Sequence, residues 1–246
     1  MGADPLVRYT LRLGDDCLIM AQRLAEWTAK APELEEDVAL SNIALDLLGQ
    51  ARMFLTYAGQ VEGAGRDEDA LAYLRGEDEF SNCQLVETER GDFARTMARL
   101  LAFSTYQLLL YQRLVESSDE TLAAIAAKGV KEVAYHVDHA TQWVLRLGDG
   151  TAESHRRMQA GLEDIWPFVA ELFVAEDGGL HAAVDVTDLR PQWDRRIDAV
   201  LTEATLTRPE PTWTARGGRH GRHTEAFGPL LAELQSLHRV HPGATW

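Results

Sequence analysis

The stretch Ala31–Arg52, APELEEDVALSNIALDLLGQAR, decides how this chain is read. Pro32 interrupts whatever precedes it, and Glu33, Glu35, Glu36 and Asp37 then crowd a single first turn. Carboxylates are favourable there because they face the positive end of a helix dipole. Leu40, Ile43, Ala44, Leu47, Leu48, Ala51 and Leu55 follow at three- and four-residue intervals, the period of a helix with a buried side. A helix is therefore predicted from near Glu33 to about Gly59. Asn42, Asp46 and Gln50 form a polar line down this otherwise apolar segment.

The same pattern extends outward. Asp4-Pro5 supplies a cap and a first-turn proline for a helix reaching about Ala29, with Leu13, Cys17, Met20, Leu24 and Trp27 on its apolar stripe. Residues 60–91 are more polar, with a short helix predicted over 67–75. Asp92 caps a helix over about 93–117, and Asp119 caps one over about 120–147 that Gly148 ends. Thr151 caps another over about 152–175, with a kink near Pro167. A further helix is predicted over 189–206, then a loop rich in Pro, Gly, Arg and His over 207–223, then a last helix from about Thr224 to Val240. No useful segment has the strand period. Four helices are expected to exceed about 25 residues, where about 11–12 is typical. Long helices joined by short turns make a bundle. The reading is an all-α fold: one domain over 1–246, a four-helix core bundle at about 5–148, and accessory helices at about 151–240.

The chain has 246 residues, 24 basic and 39 acidic, for a formal charge of −15. That opposes binding to nucleic acid or anionic membranes and suits solubility or a basic partner protein. Cys17 and Cys83 are the only cysteines, so neither a disulfide framework nor a Cys-x-x-Cys site exists, and a reducing cytoplasm is expected. Asp4, Arg8, Arg12, Asp15 and Asp16 make the first twenty residues unlike a signal peptide. No uninterrupted apolar run nears the roughly 20 residues of a membrane span. Nucleophile triads, glycine-rich dinucleotide loops and P-loops are absent from the sequence.

Two tetrapeptides carry the chemistry. A ferritin-like bundle holds two irons with one Glu from each of two helices and Glu-x-x-His from each of the other two. Residues three apart share a helix face, which is why that spacing serves one metal pair. Asp46-Leu47-Leu48-Gly49 and Glu132-Val133-Ala134-Tyr135 take this spacing with the histidine missing. Gly49 and Tyr135 stand in the histidine positions. His136 lies one residue beyond, turned by about 100° around the helix, and only a π-bulge would re-aim it. The first helix offers Asp15, Asp16 and Glu26 for a lone carboxylate, and the sequence does not choose among them. The third has no carboxylate from Leu100 to Leu110, and Gln107 there is a neutral substitute. A Lys128 or Lys131 ammonium reaching Glu132 or Asp46 would fill the charge position of a metal. The expectation is a degenerate frame with no stable iron. A plain buried hydrogen-bond network accounts for the same residues.

The segments LRLGDDCLIMAQRLAEW, APELEEDVALSNIALDLLGQAR, KEVAYH, WVLRLGDGT and HTEAFGPLLAELQ, with the closing HPGATW, resemble the C-subunit family of phenylacetyl-CoA epoxidases. These are bacterial multicomponent monooxygenases of phenylacetate degradation. The resemblance runs from about residue 6 to the C-terminus. It implies a ferritin-like fold and a cytoplasmic complex whose related catalytic A subunit holds the di-iron centre and binds the acyl-CoA. It further implies a small B subunit and a reductase with FAD, iron–sulfur and NADPH. In that arrangement the C subunit is structural, with no cofactor or catalytic residue of its own. Two rival readings are a self-sufficient di-metal oxidase built on Glu26, Asp46, Glu132 and His136, and an acyl-CoA-binding scaffold without a partner. Self-association of the isolated chain as a homodimer stays open.

The loop Arg216–His223, RGGRHGRH, is the concentrated basic patch of an acidic chain. Arg216, Arg219 and Arg222 fit either coenzyme A phosphates or docking on this protein's own acidic helices or on a partner. Trp213 and Trp246 are the tryptophans best placed for an interface. His155, His181, His220, His223, His238 and His241 show no metal-ligand spacing and read as surface or packing residues.

Overall fold

A computed structural model describes residues 4–175 and 184–244. His181 and Trp246 lie outside the described residues. Every regular element among those described is helical: α1 (Pro5–Ala25), α2 (Leu34–Glu62), α3 (Glu68–Tyr73), α4 (Gln84–Glu87), α5 (Phe93–Leu114), α6 (Glu120–Gly148), α7 (Ala152–Val169), α8 (Arg190–Glu203) and α9 (Phe227–Val240). Short 3-10 turns lie at Glu77–Glu79, Ala170–Phe173, Val186–Leu189 and Gly218–His220.

The caps read from the sequence are made. Asp4 accepts the Leu6 N–H at 2.8 Å, Asp92 that of Arg95 at 2.9 Å, and Asp119 that of Leu122 at 2.9 Å. Thr151 Oγ1 accepts from Ser154 at 3.1 Å. Each bond satisfies an orphan donor of the first turn and contributes about 1 kcal/mol. Helix lengths differ from expectation. α2 and α6 have 29 residues each, whereas α1 and α5 stop at 21 and 22. α1 ends at Ala25 and passes into tight turns, with Trp27 N–H bonded to the Leu24 carbonyl and Thr28 N–H to that of Ala25, before Ala29 takes φ of +61°. The Ala29 N–H is held by Asp37 at 2.5 Å, which fixes the turn into α2. α7 gives way to 3-10 geometry at Ala170, three residues after Pro167, which lacks the N–H that would bond the Glu163 carbonyl.

The helices gather in two compact units. The first joins Met1–Glu89 to Arg216–Trp246, so α9 belongs with α1–α4 rather than with the helices preceding it. α1 and α2 pack antiparallel along their lengths: a Cβ on Gly14 would meet Leu55 at 2.9 Å, while Cys17 reaches Gln50. Leu13, Met20, Leu24, Ile43, Leu47 and Phe54 fill the interior of this unit. α9 is pinned to the end of α3 by the Gln235 amide, which donates to the carbonyls of Ala72 at 3.1 Å and Arg75 at 3.0 Å.

The second unit is Arg90–Ala215. Here α5 lies along α6, and α7 crosses α5 at Gly161, where a Cβ would stand 2.9 Å from the Arg95 backbone. Trp193 of α8 is buried and donates its indole N–H to the Ala102 carbonyl of α5 at 2.9 Å.

Candidate functional site

On α2, Asp46 is half-buried and Gly49 is exposed, with no heavy atom within 4 Å of the place a Cβ would take. The residues turned inward are Leu47 and Gln50. Gln50 Oε1 accepts from the Cys17 thiol at 3.8 Å. On α6, Glu132 is half-buried and Tyr135 is 50% exposed, while Val133 and His136 are fully buried. In both helices the buried pair with three-residue spacing therefore falls one position beyond the tetrapeptide read from the sequence. His136 faces inward through the ordinary register of an unbroken α-helix, so no π-bulge is involved. Lys128 and Lys131 are both exposed, which removes them as stand-ins for a metal charge. Polar and apolar side chains alternate closely on these helices, so a one-residue error in facing was invisible without burial.

Taken by itself, neither inward stripe carries the carboxylate-and-imidazole pair of a di-iron helix. α2 presents a hydrocarbon and a neutral amide, and α6 a hydrocarbon and one imidazole. Iron in such bundles takes carboxylates and imidazoles. On α5, Gln107 is buried and donates to the Tyr111 hydroxyl at 3.1 Å. Among the described residues, no three His, Cys, Asp or Glu side chains converge as a metal-binding group.

The carboxylates of α1 are committed elsewhere. Glu26, just past the helix end, pairs with Arg23 at 2.6 Å. Asp15 is buried in a bidentate pair with Arg75 and also accepts the Ser81 N–H at 2.9 Å. Asp16 Oδ1 accepts the Cys83 N–H at 2.8 Å and the Arg219 guanidinium at 2.7 Å. The same loop closes over Glu87. Its Oε2 accepts from the Asn82 amide at 2.7 Å and lies 2.6 Å from His223 Nδ1, while Oε1 accepts the Thr224 N–H at 2.5 Å. Arg23 adds bonds to the carbonyls of Glu87 at 2.7 Å and Ala226 at 3.0 Å. Gly221 sits at φ of +70°, and a Cβ there would stand 2.3 Å from the Asp78 carbonyl oxygen, so the turn admits only glycine.

This cluster ties the basic loop to Asp16 of α1 and to Glu87 through pairs with little solvent access. Burial pulls the His223 pKa down, but its hydrogen bond and charge attraction to Glu87, with help from the Phe80 carbonyl and Glu77, more than reverse this. The net result is a raised pKa. Sequence reasoning weighed the arginine loop and Asp15-Asp16 separately. The signal for joining them was two adjacent carboxylates inside an apolar stripe, which need cationic partners if buried. Arg216 and Arg222 remain exposed, and the Arg222 carbonyl accepts from Gln84 at 2.6 Å.

Within the second unit, α7 and the segment Thr207–Trp213 border an open cleft of about 780 Å³. Trp213 stands exposed at its rim, edge-on to Phe168 with ring centroids 5.4 Å apart. His155 at the same cleft is bonded through Nδ1 to the Gly148 carbonyl at 2.7 Å.

Among the described residues every regular element is helical, and long paired helices of this kind define a class: ferritin-like helical bundle proteins. The chain belongs to the family described as Phenylacetic acid catabolic protein (PaaA_PaaC), matched over residues 2–246. It is 49% identical to the C subunit of the 1,2-phenylacetyl-CoA epoxidase of Escherichia coli (strain K12), over 98% of this chain and 99% of that protein.

Proposed function

We propose that this chain is the non-catalytic C subunit of a phenylacetyl-CoA 1,2-epoxidase in aerobic phenylacetate degradation. The observation that carries this reading is the pair of inward stripes, Leu47/Gln50 and Val133/His136, on a chain 49% identical to an epoxidase C subunit along nearly its whole length. A related A subunit supplies the di-iron centre and the acyl-CoA site. A small B subunit and a reductase with FAD, iron–sulfur and NADPH complete a cytoplasmic assembly.

The contribution of this chain is pre-organisation: a stiff helical surface that holds the catalytic bundle in its working shape. The loop arginines are assigned to coenzyme A phosphates or to the subunit interface where they are exposed. The exposed pair, Arg216 and Arg222, supplies the intermolecular contacts, while Arg219 anchors the loop through Asp16.

The test is reconstitution. Epoxidation of phenylacetyl-CoA is measured with reductase, NADPH and O2 for this chain alone, for the A subunit alone and for both. Activity is expected only where the A subunit is present, and higher with this chain added. Turnover by this chain alone, or close to two irons bound per chain, overturns the reading.

A further inference from the structure

Among the described residues α2 is a long helix with an 18-residue window of mean hydropathy 1.2, yet only 44% of that window is buried. Its inner side packs on α1. Its outer side carries Leu34, Val38, Leu45 and Leu48, exposed by 77%, 54%, 63% and 42%. The spacing of 4, 7 and 3 residues places them on one stripe about 20 Å long. Large apolar residues scattered singly need no explanation, but four aligned on one side of a helix, interrupted by Ser41, mark a binding surface.

Gly49 lies in this stripe. A glycine inside an exposed helix costs about 1 kcal/mol relative to alanine. Nothing among the described residues outside its own helix backbone crowds the position, so no packing among them demands it. What its missing side chain provides is room on the outside, where a second helix can approach. Beside it, Leu48 borders a hollow of about 300 Å³ closed by Leu55, Ala72 and Tyr73, with Glu68 and Asp69 at its edge. A ridge, a gap and a hollow along one helix are the shape that receives the side chains of another.

Charge selects the occupant. The stripe starts among Glu33, Glu35, Glu36 and Asp37, within a chain of formal charge −15. At its other end Arg52 pairs with Glu68 at 3.1 Å, and Asp69 beside them leaves that end net negative. A second copy laid antiparallel would set the four carboxylates of one end against a net negative charge at the other. We propose that the outer face of α2 seats a helix of the catalytic A subunit, one with an apolar ridge flanked by lysines and arginines. This rests on the functional reading above and adds to it the face and the chemistry of the partner.

The experiment is association of the full-length chain with the A subunit, measured by titration and by co-elution, for wild type and two sets of variants. Leu45→Lys with Leu48→Lys charges the stripe, and Gly49→Gln fills the gap. All three positions are exposed, so both sets are expected to fold with near-wild-type thermal midpoints. Each is expected to raise Kd at least tenfold. Glu33→Lys with Glu35→Lys is expected to weaken binding and flatten its salt dependence. Wild-type assembly with variants that bind within twofold of it overturns the assignment of the face. Failure of the wild type to assemble overturns the functional reading along with it. Loss of self-association by the variants with intact binding to the A subunit makes the occupant a second copy. Binding of wild type to phosphatidylcholine vesicles, abolished in the variants, makes it a membrane. Either of those outcomes also overturns the proposal.

Discussion

Arg219 Nη1 donates to Asp16 Oδ1 at 2.7 Å, joining a loop near the C-terminus to the middle of α1 across 203 positions of sequence. Both side chains are nearly sealed, at 6% and 5% exposure. Removing one member of a buried pair leaves an uncompensated charge, which costs about 3–5 kcal/mol. Arg219→Ala is therefore expected to destabilise the chain by about that amount in urea unfolding. Arg222→Ala, a few residues away with an exposed side chain, is expected to stay within about 0.5 kcal/mol of wild type. Equal, small effects of both would mean the loop is not anchored through Asp16.

The neighbouring contact of His223 with Glu87, 2.6 Å between Nδ1 and Oε2, gives the clamp a pH dependence. The His223 pKa is raised in the folded chain above its ordinary 6.5, so the native state keeps that proton at a pH where the unfolded chain has released it. The stabilisation is complete below about pH 6.5 and fades as pH rises through the folded value. His223→Gln should thus cost more at pH 6 than at pH 9, and Glu87→Gln should flatten the wild-type profile between them. Denaturation series at both pH values measure this. A His223→Gln penalty that grows with pH contradicts the arrangement.

The sequence told most about what depends on neighbours along the chain. Asp4, Asp92, Asp119 and Thr151 announce helix starts through local hydrogen bonds, and the structure uses all four. Helix ends were less legible: the positive φ of Ala29 depends on Asp37, eight residues on, and nothing in alanine itself advertises it. The facing of Leu47 against Asp46, and of His136 against Tyr135, was hidden because one residue turns a helix by about 100° and apolar residues flank both choices. The grouping of α9 with α1–α4 was hidden for another reason. It rests on Gln235, Arg219 and His223 meeting partners far upstream, and pairing at such distance leaves no periodic mark.

Two helical glycines make opposite predictions. At Gly161, a Cβ would stand 2.9 Å from the Cα and N of Arg95, both backbone atoms that cannot rotate away. Gly161→Ala must push α7 off α5, and overpacking of this kind costs about 1–3 kcal/mol. At Gly49 the space is open, and Gly49→Ala should instead stabilise the isolated chain by about 0.5–1 kcal/mol through helix propensity alone. Thermal midpoints of the two variants, measured side by side, are expected to move in opposite directions.

Completing the tetrapeptides read from the sequence should not build a metal centre. Gly49→His with Tyr135→His restores carboxylate-x-x-His spacing after Asp46 and Glu132, but both new imidazoles would stand at exposed positions. The inward positions would still hold Leu47 and Gln50 on α2, and Val133 and His136 on α6, with no carboxylate on either helix. Surface substitutions of this kind shift stability by about 0.5 kcal/mol or less, so the variant is expected to fold. Elemental analysis after expression in iron-replete cells should find no more iron per chain than in wild type. A gain approaching two irons per chain would mean that Asp46 and Glu132, not the buried stripe, mark the ligand register. It would also reopen the reading of this protein as an oxidase that has lost only its histidines.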